Sequence, residues 1–115
     1  MRLRNSVVAT LGAIGLVLSI PGSASAAASA HGSFIYRYGS VDAPHISTLI
    51  DPDSRVCINL PEVTDLAYDP AFHPENQTDS TATAWTGLNC TGDYNSINPY
   101  KSRNNSFKLR SVIFS

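Results

Sequence analysis

Ser33-Phe34-Ile35-Tyr36-Arg37-Tyr38 is the stretch that decides the fold class. Side chains alternate across an extended chain, so Phe34, Tyr36 and Tyr38 share one face and Ile35 and Arg37 the other. A helix would need its apolar residues three and four positions apart, so this spacing of two marks a strand with an aromatic face to bury. Similar short β-branched or aromatic runs recur at 45–50, 55–60, 81–86, 93–97 and 107–114, separated by clusters of Gly, Pro, Asn and Asp. Val56, Ile58 and Leu60 share one face of their run, and Val112 and Phe114 oppose Leu109, Ser111 and Ile113. Half-buried strands at this spacing predict an all-β fold, a small antiparallel β-sandwich.

Between these runs, 61–79 reads differently. Pro61, Pro70 and Pro74 interrupt it, each lacking a backbone donor and biasing its predecessor away from helix, so the span is expected to be a long surface loop. Asp51-Pro52-Asp53-Ser54 carries paired carboxylates that a glycosidase or a calcium site would use. Its composition is also that of a turn between two strands, and the turn is the preferred reading.

At the N-terminus, Arg2 and Arg4 precede an uncharged run at 7–20, too short for the roughly 20 residues that span a bilayer. Pro21-Gly22 and the small residues Ala24-Ser25-Ala26 follow, the order of a cleavable secretory signal peptide. Cleavage is expected after Ala26, alternatively after Ala30, leaving a single β-rich domain at 27–115. The mature chain then holds six Lys plus Arg against nine Asp plus Glu, a formal charge of −3. Scattered cations on an acidic chain argue against nucleic acid as a partner, and no later apolar stretch would hold the chain in a membrane.

Cys57 and Cys90 are the two cysteines. Both lie in the exported part, where thiols oxidise, and neither has a neighbouring base to activate it, so one disulfide is expected.

From 76 to 114 the chain places Trp85 on a strand, Cys90 several positions on, then Thr91-Gly92, and later Ser111 followed by Val112 and Phe114. This pattern resembles the Greek-key motif of the βγ-crystallins, as found in small exported bacterial proteins, and it covers the C-terminal half only. The resemblance implies a Greek-key β-sandwich. In it, Gly92 would adopt positive φ in a folded-over hairpin, and the Ser111 hydroxyl would bond back to that hairpin's backbone. The family's calcium motif is broken here: Asn104-Asn105 lead into Ser106-Phe107-Lys108 rather than hydroxyl ligands, so no metal is expected.

Chemistry of other kinds has no signature. His31, His45 and His73 show no metal-ligand spacing, and no nucleophile elbow or phosphate loop is present. The chain is therefore expected to be non-enzymatic, without cofactors, and monomeric. Its expected role is a secreted binding or structural module meeting an extracellular protein or glycan. The alternative is a secreted protease inhibitor or killer-type toxin on the same scaffold. For that role the Pro-rich span of Asp69, Pro70, Phe72, Pro74 and Glu75 is the candidate partner loop, since prolines reduce the entropy lost on docking.

Overall fold

The computed structural model describes residues 28–115. The expected leader at 1–26 lies outside the described residues. Apart from a 3-10 turn at Pro61–Val63, the regular elements within 28–115 are strands: β1 (Gly32–Gly39), β2 (Pro44–Ile50), β3 (Ile58–Asn59), β4 (Ala71–Thr78), β5 (Ala82–Trp85), β6 (Tyr94–Ile97), β7 (Lys101–Ser102), β8 (Lys108–Leu109) and β9 (Ser111–Phe114). Their ladders are antiparallel and make two sheets. The first runs β2-β1-β4, with β7 and β8 both pairing the far side of β4; the second runs β3-β9-β5-β6. Hence β3 leaves the N-terminal half for the second sheet, while β7 and β8 leave the C-terminal half for the first.

The aromatic face read in β1 is the core face. Phe34 and Tyr36 are buried with Ala82, Ala84, Ile97, Leu109, Val112 and Phe114 of the C-terminal half, and Leu60 and Val63 join them. Phe34 meets Phe114 edge-on at 5.3 Å between centroids, one ring from each sheet. Each such side chain contributes roughly 1.5–3 kcal/mol by leaving water.

The span 61–79 corrects the loop expectation. Its second half is β4, a central strand between β1 and β7, with Pro74 in its interior. A bulge makes this possible. His73 has φ 54°, and the β1–β4 register shifts between Ile35 and Arg37. A bulge residue owes no ladder donor, so proline is tolerated there. The extra residue also re-aims the side chains. Ala71 enters the core, whereas Phe72, only 2 % exposed, lies outside that cluster with the Lys108 ammonium 5.0 Å from its ring centroid.

Two strand expectations shrink. The run 55–60 pairs only at Ile58–Asn59, and 107–114 splits into β8 and β9 around Arg110. The N-terminal residues are built in: Ala30 N–H bonds the Pro52 carbonyl and Ser54 N–H the Ala28 carbonyl, both at 2.8 Å, with Ala30 fully buried. Buried Asn76 ties the halves together, its amide donating to the carbonyls of Ser80, Ile97 and Asn98 and its oxygen accepting from Thr78. Cys57 and Cys90 form the disulfide, with Cα atoms 6.0 Å apart, and join the entry to β3 to the hairpin between β5 and β6.

Candidate functional site: a cleft beside an arginine-braced loop

The hairpin between β5 and β6 folds over through residues in the left-handed region: Asn89, Cys90 and Gly92 have φ of 58°, 54° and 90°. A Cβ at Gly92 would lie 2.5 Å from Thr86 Oγ1 and 3.3 Å from the Gly87 nitrogen, so this position needs glycine for space as well as for conformation. At the start of β9 the Ser111 hydroxyl accepts from Cys90 N–H at 2.9 Å and donates to the Gly87 carbonyl at 2.6 Å. Asn59 of β3 adds a clasp, accepting from Asn89 N–H and donating to the Asn89 side chain.

Trp85 is half-buried and lies outside the core cluster. Its β5 neighbours Ala82 and Ala84 face inward, and its ring packs on exposed Tyr94 at 4.6 Å. The indole Nε1 is hidden from solvent and has no acceptor among the described residues.

Of the candidate partner residues, Phe72, Pro74 and Glu75 belong to β4 and do not form a protruding loop. Glu75 lies on the outer face beside Arg37, 4.0 Å away, and His73, 3.7 Å away. His73 also meets Asn105 through Nδ1 at 2.8 Å, and Asn104 is engaged by Ser106. Asp69 and Pro70 stay in a loop, and that loop continues upstream, where Leu66 and Tyr68 are 70 % and 65 % exposed.

Arg110 holds the loop. Between β8 and β9 its side chain turns inward and is 9 % exposed. Nη1 donates to the Val63 carbonyl at 2.8 Å and weakly to that of Asp65 at 3.4 Å, and Nη2 donates to the Tyr68 carbonyl at 2.6 Å. A planar guanidinium presents several donors in a fixed fork, which suits it to gathering converging carbonyls. In the sequence Arg110 looks like one more cation in a strand, and only its register with Val112 and Phe114 on one face of the run sets it apart.

Glu62, just before Val63, anchors the same loop to the first sheet. Its carboxylate accepts from the Tyr36 hydroxyl at 2.6 Å and the Ser47 hydroxyl at 2.7 Å. Burial alone would raise the Glu62 pKa, but the two hydrogen bonds outweigh it and hold the carboxyl below its ordinary range. Burial, aided by the bond to Glu62, pushes the Tyr36 hydroxyl far upward.

Between this loop and the β1–β2 hairpin lies a cleft of about 450 Å³, within the size range of small-ligand sites. Tyr38 and His45, stacked at 5.2 Å, line it from the hairpin, and Glu62, Tyr68 and Asp69 from the loop. Among the described residues no Lys or Arg lines it. The cleft thus combines ring faces with two carboxylates, groups suited to stacking and hydrogen bonding or to a cationic side chain. Ser40 is also present, but its hydroxyl accepts from Asp42 N–H, and no hydrogen bond links it to His45, so no nucleophile–base relay is assembled. Among the described residues no three His, Cys, Asp or Glu side chains gather as a metal site.

Among the described residues no helix is long and apolar enough to cross a membrane. No family model, curated protein or solved structure matches the chain.

Proposed function

We propose that the chain is an exported, non-enzymatic binding module of the βγ-crystallin type, acting through the cleft beside the braced loop on an extracellular protein or glycan. The observation that carries the family reading is the exchange of strands. β1, β2 and β4 form one half's sheet and β5, β6 and β9 the other's, and each half sends its third extended segment to its neighbour's sheet. We read this as two Greek keys, the second bearing the Gly92 turn and the Ser111 clasp. Export is supported by the disulfide, which persists in oxidising compartments. Cleavage after Ala26 spares Ala28 and Ala30, whose backbones pair with the 52–54 turn, whereas cleavage after Ala30 would remove both.

A panel of oligosaccharides and basic peptides, titrated into the isotopically labelled protein, tests the binding role. The expected result is shift changes centred on Tyr38, His45 and Tyr68, abolished by Tyr68→Ala. Binding that ignores Tyr68→Ala would move the site elsewhere on the surface.

The inhibitor reading is favoured by one observation: Leu66 and Tyr68 project from a loop whose backbone is fixed from inside by Arg110. A pre-ordered loop loses little entropy on entering a protease cleft. Slowed turnover by a secreted protease, relieved by Leu66→Lys, supports this reading. Digestion of the loop without inhibition removes it.

A further inference from the structure

We propose that β2 pairs with β2 of a second copy of this chain, joining two molecules edge to edge through a twofold axis at Thr48. Among the described residues β2 is the free edge of the first sheet, and its seven residues, Pro44 to Ile50, carry no Lys, Arg, Asp or Glu. Directly opposed residues in an antiparallel pair alternately exchange hydrogen bonds and turn their polar groups outward. Asp51 N–H bonds the Gly32 carbonyl, which makes that pair a bonded one and, by alternation, Phe34–Leu49, Tyr36–Ser47 and Tyr38–His45 as well. Ile46, Thr48 and Ile50 therefore direct their N–H and C=O groups to the open edge. Pro44 falls at an outward position too, and, lacking a donor, it ends the edge there.

The outward set is self-complementary. An axis at Thr48 sets Thr48 against its own copy and Ile46 against Ile50 of the second molecule. This closes about six backbone hydrogen bonds in three mutual pairs. Ile46 and Ile50 are 64 % and 67 % exposed and share a face, so they become cross-strand contacts. At each end the same register sets Asp51 opposite His45 of the other copy, one side chain that accepts hydrogen bonds against one that can donate them.

The other edges are guarded. β3, β7 and β8 are two residues long, and Lys101 and Lys108 lie in the latter two. On β6 the Ser96 carbonyl is occupied by the Arg103 guanidinium at 2.7 Å. Short strands and cations are the usual defences of a sheet edge, and β2 has neither. A seven-residue ribbon buries less than the roughly 800 Å² per partner of a standard interface, so the pairing is a weak, concentration-dependent one.

Sedimentation equilibrium of the purified protein from about 10 μM to about 1 mM tests this. The expected result is a weight-average mass rising toward that of a dimer. Association should weaken at least tenfold in Ile46→Lys and in Thr48→Pro, but not in Val41→Lys, a loop substitution that also replaces an exposed apolar residue. A melting midpoint near that of the parent shows that each variant is folded, and Ile46→Lys, on an exposed site, serves if Thr48→Pro is not. Amide exchange at Ile46, Thr48 and Ile50 should slow as concentration rises. A monomer throughout the range, or association untouched by both β2 variants, overturns the proposal.

Discussion

Replacing Arg110 with Met should loosen the Val63–Tyr68 wall of the cleft and destabilise the whole domain. The two short bonds, at 2.8 and 2.6 Å, are charge-assisted, and such bonds contribute about 1.5–3 kcal/mol each. Part of this returns, because Tyr68 is exposed and its carbonyl regains water, and because the guanidinium no longer has to be desolvated. The Val63 carbonyl, on a residue 1 % exposed, stays without a donor. The net cost is about 2–4 kcal/mol, and in a domain of this size each kcal/mol moves the midpoint by about 4–8 °C, giving a fall of roughly 10–30 °C. Arg110→Lys keeps the charge but reaches fewer carbonyls, so it should recover about half of the loss. Urea unfolding measures the energy, and amide exchange at Ala67 and Tyr68 reports on the loop itself. Parent-like stability together with unchanged exchange in Arg110→Met would refute the brace.

Cys57→Ser should cost about 3–4 kcal/mol, since the bridge spans a sequence separation of 33 and acts largely on the unfolded chain; an unchanged midpoint in oxidising buffer would contradict it. Trp85→Ala should cost about 1–2 kcal/mol, less than the roughly 3–5 of a core aromatic, because the ring lies on the outer face. Trp85→Phe should be nearly neutral, as it keeps the contact with Tyr94 and removes a hidden donor without an acceptor; a larger loss in urea unfolding would mean that the N–H is used. A carboxyl held low, as Glu62 is, contributes stability that is present above its unfolded pKa and lost as pH falls through its folded one. Unfolding free energy should therefore decline from about pH 5 downward, with a shallower slope in Glu62→Gln; an identical slope in that variant would assign the decline to other carboxylates.

How much of this the sequence displayed depended on whether the governing interaction was local. Phe34, Tyr36 and Tyr38 announced β1 by alternation alone, and the two cysteines had only each other to pair with. β4 was hidden because Pro74 reads as a breaker unless the bulge at His73 is known, and that bulge is set by pairing with β1, which is distant in sequence. The cleft was hidden for the same reason. Tyr38 and His45 come from one hairpin, Glu62 and Tyr68 from the next loop, and Arg110 from the last turn before β9. The expected partner segment missed the exposed tip by a few residues, since prolines signal where a chain is stiff and not whether a sheet will cover it.

The lending of strands between the halves bears on how the chain reaches this state. The N-terminal half is synthesised first, yet β3 has nothing to pair with until β9 arrives, and β4 is open on one side until β7 and β8 are present. Neither half can close early, so the decisive contacts join residues far apart in sequence, such as Phe34 with Phe114. Topologies of this kind acquire their structure late and in one cooperative step, on the millisecond-to-second scale rather than microseconds. Formation of the Cys57–Cys90 bond would then follow the docking of β3 beside the late hairpin, sealing a pairing already made rather than guiding the search for it.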